Sequence, residues 1–567
     1  MKRLKFNILI SCIFLIFVSF TANSQSFIPE THSSVDTANL KNGYLVYHFI
    51  QTDEKGKIIP WYSANFGNSY DHVLGLVWNF WDNMKMDRNG LPYYMNHQVW
   101  EDKYNDGRGV AGSQFEMTLS SWYLYYVYSG NQRVMDNMTF VADYYLSHSL
   151  SSPNDAWSEI PYPYNTLIYS GIYDGDMILG KDYTQPDKTG GFGYELVNFY
   201  KMNGNDRYLN AAIKIANTLA KKVKAGDNEN SPLPFKVNAV NGKVGVLIET
   251  VNGKKQTQSS SYSSNWVGTM QLFQELQKLN KGNTALYQKS FNSLLKWMKA
   301  YPLKTNKWGP FFEDVYGWSD SQINAITFAR FMMKNPELFP NWKTEVPAIF
   351  DWVYAKLGND KWKRYGVTVV NEQTAYPVEG NSHSARQASV ELLYAQLTGE
   401  TSRIENAERQ LNWATYMVDF DGKNQYPNEQ IWTSDGYVDY VRHFLRAMDA
   451  RPELSADNAN HLLSSTSTIK RMEYYPNYSY GIWSIAFSES ELIKGKDIFP
   501  NVRYFTYDKS SKEVIRLVSK PVSITVDKKE IPEHYVNGTE GWTWKSLEKG
   551  GIATISHTQG NEISIIY

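Results

Sequence analysis

The 567-residue chain contains a single cysteine, Cys12, which lies in an apolar run close to the N-terminus. The rest of the chain therefore cannot form disulfides, use a thiol nucleophile or bind a metal through cysteine. Positive charge is not in excess either, because 57 lysines and arginines are balanced by 58 aspartates and glutamates. This balance argues against nucleic acid or an anionic membrane surface as a partner. An anionic substrate would have to be met by a few placed Arg, His or Lys side chains.

Long apolar runs are also absent after the first residues of the chain. Residues 1–24 combine a basic start, an apolar stretch from Phe6 to Phe20 and a small-residue end at Ser24. This pattern is typical of a cleaved secretory signal peptide and is too short to cross a bilayer comfortably. We therefore predict a periplasmic or secreted protein without a membrane anchor.

The sequence pattern predicts helical hairpins over residues 70–497, preceded by an N-terminal arm at residues 25–69. In the stretch 379–400, Ser384 and Gln387 have the spacing of a capping box, apolar residues follow at helical intervals, and Gly399 ends the helix. Short turns of a similar kind recur at Ser129-Gly-Asn, Asn203-Gly-Asn, Lys281-Gly-Asn and Thr398-Gly-Glu. Their irregular spacing does not fit an open solenoid of fixed period. The pattern predicts an (α/α) toroid, with helices near residue 75 and over 436–448 completing a sixth hairpin.

The last part, residues 498–567, changes to alternating strands separated by Asp-Lys, Pro, Asn-Gly and Gly-Gly turns. It predicts a small antiparallel β module, with Trp542 and Trp544 in its core. The predicted fold class is thus mainly α: an (α/α)6-type toroid followed by a β module.

In such a toroid the long loops gather at one rim, beside the N-termini of the inner helices, and we expect the active site there. Asn381, His383 and Arg386 lie within six residues at one of these helix starts, which is more than loop packing requires. The catalytic candidates are Asn381, His383, Arg386, His97, Tyr437 and His443. Aromatic plates mixed with polar groups suit sugar rings, and the substrate-binding candidates are Tyr94, Trp100, Glu195, Trp266, Trp318, Tyr376, Trp432 and Asp435.

Other polar residues have simpler interpretations. Glu116 follows Ser113, and Gln322 follows Ser319, at capping-box spacing, which accounts for both without catalysis. Asp439 and Arg442 have the spacing of an (i, i+3) ion pair. One loop contains Asp174, Asp176, Asp182 and Asp187, which allows a structural Ca²⁺ but does not follow the EF-hand pattern. We otherwise predict no cofactor and no metal at the site.

The chemistry that Asn381, His383 and Arg386 suit is β-elimination on a uronic acid. Arg or Asn neutralises the carboxylate, His or Tyr removes the C5 proton, and a Tyr or His protonates the oxygen that leaves C4. In its hairpins, its C-terminal strands and this loop, the chain resembles the toroid polysaccharide lyases and related uronate-active enzymes of glycan-degrading bacteria. The resemblance implies an anionic oligosaccharide or polysaccharide as substrate, with either a sugar or, as in the ulvan oligosaccharide dehydratase, water as the leaving group.

Two other functions stay open, because similar toroids also include unsaturated glucuronyl hydrolases. A glycoside hydrolase would use paired carboxylates, for which Glu195, Asp320, Glu379 and Asp435 are candidates. A non-catalytic glycan-binding protein would have stacked aromatics without a convergent acid, base and cation.

Overall fold

The computed structural model describes residues 44–45, 48–96, 112–167, 169–251, 254–312, 317–427, 437–475, 500–534 and 539–567. The long helices in these ranges are α1 (Phe66–Asp82), α2 (Gly112–Ser129), α3 (Gln132–His148), α4 (Pro186–Asn203), α5 (Asp206–Lys222), α6 (Val267–Lys278), α7 (Thr284–Ala300), α8 (Gln322–Lys334), α9 (Trp342–Leu357), α10 (Asn381–Thr398), α11 (Ile404–Thr415) and α12 (Asp439–Ala450). Short helical turns occur at Tyr93–Asn96, Pro302–Thr305, Asp360–Tyr365 and Pro452–Leu454. The predicted signal peptide lies outside the described residues.

Six of these helices form an inner ring. Helices α2, α4, α6, α8, α10 and α12 each pack against the next one in chain order, and α12 packs against α2. Helices α3, α5, α7, α9 and α11 each pack outside the inner helix that precedes them, and α1 packs against α11 and α12. The prediction of a mainly helical chain built of hairpins is confirmed, and the two helices expected to form a sixth pair are in contact.

The turns from inner to outer helices form as their sequences predict, because the glycine and the asparagine each have a separate structural role. The glycine adopts a positive φ that ends the inner helix at little steric cost. The asparagine then caps the outer helix by accepting a backbone N–H of its first turn. The residues are Gly130 (φ 69°) with Asn131 and Gly204 (φ 73°) with Asn205. In the third turn, α6 already ends at Lys278, and Gly282 (φ 70°) only precedes the capping residue Asn283.

The start of α10 differs from the prediction. The helix begins at Asn381 after Gly380, which provides no side-chain cap, so His383 lies inside the first turn. The hydroxyl of Ser384 accepts the backbone N–H of Val370 at 3.2 Å, and Gln387 donates to Glu391 at 2.8 Å. The predicted capping box is therefore wrong, because a neighbouring segment takes up the serine hydroxyl. Residues 381–394 are all buried, as expected for a helix that is packed between other helices.

Glycines allow α4 and α6 to approach closely in the inner ring. A Cβ atom on Gly190 would lie 2.0 Å from Oγ1 of Thr269, and one on Gly268 would lie 2.5 Å from Cα of Gly191. A Cβ on Gly191 would lie 2.9 Å from Cγ of Glu116 on α2. Side chains at these positions would push the helices apart. We call Gly190, Gly191 and Gly268 the glycine seam.

The strands are β1 (Tyr44–Leu45), β2 (His48–Phe49), β3 (Gly175–Asp176), β4 (Gly180–Lys181), β5 (Tyr183–Thr184), β6 (Val237–Asn238), β7 (Val246–Val251), β8 (Lys254–Ser259), β9 (Gly358–Asn359), β10 (Val369–Val370), β11 (His461–Ser465), β12 (Ile469–Tyr474), β13 (Val502–Thr506), β14 (Ser511–Leu517), β15 (Ser523–Val526), β16 (Lys529–Glu530), β17 (Gly541–Ser546), β18 (Gly551–His557) and β19 (Glu562–Ile566). Strands β1 to β10 form two-stranded ribbons.

The β module consists of two antiparallel sheets, ordered β11-β14-β18-β17 and β12-β13-β19-β15-β16. Strands β11 and β12 precede residue 498, so the module begins earlier than the predicted boundary. Trp542 is buried in its core and Trp544 is partly buried against it. Strand β11 contacts α2 and α12 of the inner ring. Of the helices in the described ranges, none combines the length and the apolar character needed to cross a membrane.

Candidate functional site

The inner ring encloses a cavity of about 460 Å³, to whose wall every inner helix contributes. Polar wall residues, one from each helix, are Glu116, Glu195, Gln271, Arg330, Arg386 and Arg442. Residues 462–465 of β11 line the cavity beside the C-terminal ends of the inner helices. The interior of the ring therefore contains charged groups as well as apolar packing.

A buried carboxylate, that of Asp439, organises one side of this wall. Arg386 pairs with it through Nη2, and Arg442 places Nη2 at 2.5 Å from its Oδ1. Burial alone would raise the pKa of Asp439, but the two guanidinium groups hold it well below its usual range. The predicted (i, i+3) pair of Asp439 and Arg442 is confirmed, and Asp439 also binds Arg386 from a different helix.

His443 belongs to the same group. Its Nε2 lies 3.1 Å from Oδ2 of Asp439, and its buried Nδ1 has no hydrogen-bond partner among the described residues. Because a carboxylate only accepts, Nε2 carries the hydrogen and Nδ1 keeps a free lone pair. Burial, opposed by Asp439, holds the pKa of His443 well below its usual value, so the imidazole is neutral at neutral pH.

Two glutamates lie on the neighbouring part of the wall, Glu116 on α2 and Glu195 on α4. Nη1 of Arg442 donates to Oε1 of Glu116 at 3.0 Å, and Nδ2 of Asn198 donates to Oε2 of Glu195 at 3.3 Å. Burial, and then the charge of Glu116, raises the pKa of Glu195 to about 7. Glu195 is thus a group that both donates and accepts a proton near neutral pH.

The three residues predicted together at the start of α10, Asn381, His383 and Arg386, have different environments in the structure. Arg386 lines the cavity and receives support from Gln322, whose Oε1 accepts from its Nη1 at 2.9 Å. Asn381 instead donates to Asn424, which in turn donates to the backbone carbonyl of Tyr437 at 3.1 Å. The three residues lie in the first two turns of α10, but of the three only Arg386 belongs to the described cavity wall.

His383 is fully buried behind that wall. Its Nδ1 lies 3.5 Å from the hydroxyls of Ser382 and Tyr426, and its Nε2 has no hydrogen-bond partner in the described part of the chain. Its pKa is held well below the usual value by burial and by the charge of Arg386. Tyr437, the other nearby candidate, donates its hydroxyl to the carbonyl of Gly422 at 2.7 Å. Neither side chain lines the cavity formed by the described residues.

The predicted aromatic contacts are mostly structural. Tyr94 is 2% exposed and stacks on Trp81 with ring centroids 4.0 Å apart, and Trp266 is completely buried. Neither has a ring face free for a sugar, so their prediction as substrate contacts is corrected. Trp318 is 41% exposed but holds Asp320 through Nε1 at 3.0 Å, away from the cavity wall, and Tyr376 is only half-buried. His97, Trp100, Trp432 and Asp435 lie outside the described residues.

The other carboxylates that we considered are engaged by neighbouring groups. Asp320 accepts the backbone N–H groups of Trp308 and Gly309 at 2.8 Å, and Glu379 pairs with Lys361 at 2.8 Å. In the loop for which a Ca²⁺ was considered, three of the four carboxylates are bound by protein groups: Asp174 by Thr166, Asp176 by Lys236 and Asp187 by Lys188. In the described ranges, no cluster of three or more His, Asp or Glu side chains could hold a metal ion.

Two polar residues at the site have partners that the sequence pattern does not predict, since Glu116 lines the cavity and Gln322 supports the wall residue Arg386. Glu116 and Gln322 were assigned to capping boxes, yet Glu116 binds Arg442 and Gln322 binds Arg386, while the hydroxyl of Ser319 donates to Gln373 at 2.8 Å. A signal was available in the polar stripe of α12: Asp439, Arg442, Arg446 and Asp449 recur every three or four residues on a helix whose other residues, apart from His443, are mostly apolar.

No protein-family model and no curated protein sequence matches the chain. Among solved structures, it is similar to a cellobiose 2-epimerase from Spirochaeta thermophila, at 9% identity over 67% of this chain and 97% of that one, with a TM-score of 0.47. It is also similar to a family 88 glycosyl hydrolase from Bacteroides vulgatus (11% identity, 68% and 99% covered, TM-score 0.42) and to a polysaccharide lyase (10% identity, 69% and 99% covered, TM-score 0.42). These similarities assign no activity to the chain.

Proposed function

We propose that the helical ring is an (α/α)6 toroid and that the protein is an exported carbohydrate-active enzyme whose reaction takes place in the ring cavity. The circular packing of the inner helices supports the first part. The signal-like residues 1–24 support export. A cavity of about 460 Å³ with both charged and apolar walls is in the size range of small-molecule sites.

The proposed reaction is β-elimination on a uronic acid. A base removes the proton from C5, the electron pair of that C–H bond forms the C4=C5 double bond, and the C4–O bond breaks. The departing oxygen, which belongs to a sugar or to water, takes up a proton from an acid. The protein must therefore supply a base, an acid and a cation that stabilises the negative charge developing on the carboxylate.

The observation that carries this proposal is the contact between Asp439 and His443. It fixes the tautomer in which Nδ1 of His443 has a free lone pair, and the same carboxylate holds Arg386 and Arg442 beside the imidazole. We assign His443 as the base. A substrate carboxylate bound beside the imidazole would raise the pKa of His443 and strengthen it as a base.

Glu195 is the proposed acid. Its raised pKa of about 7 leaves a large fraction protonated at neutral pH, so it has a proton to give to the leaving oxygen. Glu116 keeps Arg442 in place through the 3.0 Å hydrogen bond. Arg386 and Arg442 then serve to position His443 and to stabilise negative charge.

The test is to incubate the purified protein with a panel of uronic-acid oligosaccharides and follow ultraviolet absorbance together with product mass. Elimination creates a conjugated C4=C5 double bond and new absorbance. Loss of one water then identifies a dehydratase, and chain cleavage without added water identifies a lyase. Absence of new absorbance with every saccharide of the panel would contradict the proposal.

A second candidate, a glycoside hydrolase, is favoured by one observation. Burial and the nearby Glu116 raise the pKa of Glu195. In hydrolases, a carboxyl group with a raised pKa acts as the acid, and a second carboxylate acts as the base or the nucleophile. Hydrolysis would give products heavier by one water without new absorbance. It would also be lost in a Glu116→Gln variant.

A further inference from the structure

Three basic side chains line the cavity near the C-terminal ends of the inner helices. Arg330 and Lys334 are one turn apart at the end of α8, and Arg446 is on α12. We call them the basic cluster. Arg446 donates to the hydroxyl of Ser120 at 3.4 Å. Arg330 and Lys334 form no hydrogen bond or ion pair with the residues that the structure describes.

The neighbouring acids already have partners or are too few to neutralise this cluster. Glu116 is bonded to Arg442, and Asp439 is shared by Arg386 and Arg442. Asp449 lies on the same wall, and its single negative charge acts on both Arg330 and Lys334. Glu195 is only partly ionised at neutral pH, because burial raises its pKa to about 7.

The cations also repel one another. Burial, followed by the charges of Arg330 and Arg442, holds the pKa of Arg446 well below its usual range. Burial and the charge of Arg330 likewise lower the pKa of Lys334, although Asp449 opposes this. Holding like charges together in a cavity costs free energy unless an anion joins them. Neutral polar side chains on the wall, such as Asn198, Gln271 and Thr327, add hydrogen-bonding capacity around such an anion.

We propose that the basic cluster binds an oxyanion substituent of the glycan, a sulfate ester or a second carboxylate, in addition to the uronate carboxylate that reacts beside His443. This inference rests on the proposed function, since it assigns a polyanionic glycan to the same cavity. Arginine and lysine suit both kinds of oxyanion, which share the need for several N–H donors. Strand β11, through residues 462–465, forms the adjoining wall.

The experiment measures binding by calorimetry at constant ionic strength. The ligands are inorganic sulfate, a uronate disaccharide, the same disaccharide with one sulfate ester, and one with a second carboxylate. The proteins are the wild type, Arg330→Gln, Lys334→Gln and Arg446→Gln, with Lys289→Gln on the outer helix α7 as the control for loss of an exposed lysine. Part of the Lys334 side chain reaches solvent at the end of α8, so its substitution leaves the core unchanged.

We expect the doubly charged disaccharides to bind more tightly than the singly charged one. Each substitution in the basic cluster should weaken that binding by roughly tenfold, whereas Lys289→Gln should not change it. Preference for the sulfated or the dicarboxylated sugar identifies the source of the oxyanion. Equal affinities for the singly and doubly charged sugars, or equal affinities for wild type and Lys334→Gln, would overturn the inference. If the basic cluster binds anions but no saccharide undergoes elimination, the proposed function is refuted while the oxyanion-binding site is supported.

Discussion

The carboxylate of Asp439 lies 3.1 Å from Nε2 of His443 and at the same time holds Arg386 and Arg442. One buried group thus orients an imidazole and compensates two guanidinium charges. The residues come from α10 and α12, which are adjacent in the inner ring. The geometry of the proposed base therefore depends on a contact between helices.

Replacing His443 by glutamine should abolish most of the proposed activity. Loss of a general base typically lowers the rate by about 10²- to 10⁴-fold, and we expect kcat/KM for elimination to fall within that range. His148→Gln, on the outer helix α3, is the matched control and should retain wild-type turnover. Normal turnover by a folded His443→Gln variant would remove His443 from the mechanism.

Replacing Asp439 by asparagine should destabilise the fold strongly. It leaves Arg386 and Arg442 buried without their shared counter-ion, which costs about 3–5 kcal/mol in comparable cases. Chemical denaturation measures the free energy of unfolding. Asp351→Asn, which breaks the solvent-exposed pair with Arg403, should cost less than about 1 kcal/mol. Similar losses in the two variants would show that the buried ion pairs of Asp439 contribute no more to the free energy of unfolding than an exposed pair.

The pH dependence of the reaction should report Glu195. As an acid with a pKa raised to about 7, it holds its proton below that pH and loses it above. Activity that requires the protonated form should therefore decline as the pH rises through 7. In Glu195→Gln this alkaline decline should disappear together with most of the rate. An unchanged alkaline limb in that variant would assign it to another group.

The glycine seam predicts opposite effects for two glycine-to-alanine changes within helices. Gly268→Ala would place its Cβ 2.5 Å from Cα of Gly191, so we expect a loss of about 1–3 kcal/mol in the free energy of unfolding. Gly75→Ala on α1 meets its nearest atom, the hydroxyl of Tyr125, at 3.9 Å. This control should gain up to about 1 kcal/mol from helix propensity. A neutral Gly268→Ala would mean that α4 and α6 can separate freely.

In the β module, His557 should stabilise the fold at low pH. Burial lowers the pKa of His557, but its hydrogen bond and ion pair with Glu513 outweigh burial, and the net pKa is raised. Its contribution is therefore complete below the unfolded value of about 6.5 and is lost as the pH rises through the folded pKa. Denaturation of His557→Gln should show a larger deficit at acidic than at alkaline pH. A deficit independent of pH would contradict the assignment of a charged pair.

Local signals in the sequence predicted the framework well. Gly130-Asn131 and the related turns are determined by backbone geometry, which glycine and asparagine satisfy without help from distant residues. Capping boxes were less reliable. Ser384 and Glu116 found partners in Val370 and Arg442, which are remote in sequence, because buried polar groups take the best partner that the tertiary structure offers.

The candidate site could be predicted only in part, since a polar residue on an inner helix faces either a neighbour or the cavity. Arg386, His443 and Glu195 were predicted from their residue types and from expected helix starts, although Glu195 lies in the middle of α4. Trp266 and Tyr94 have the composition of sugar-binding groups but fill the core. Arg446 and Lys334 escaped notice because charged residues on helices usually face solvent.

The contact of α1 with α11 and α12 also has a consequence for biogenesis. The first long helix to be synthesised has neighbours that appear only after residues 404–450 have been translated, on the order of tens of seconds later at usual elongation rates. Until then α1 has only its contacts with earlier residues, such as that of Trp78 with Trp122 of α2, whose ring centroids lie 4.9 Å apart. Closure of the ring is thus a late, highly non-local event, and a chaperone that shields the part of α1 that packs on α11 and α12 would act before this closure.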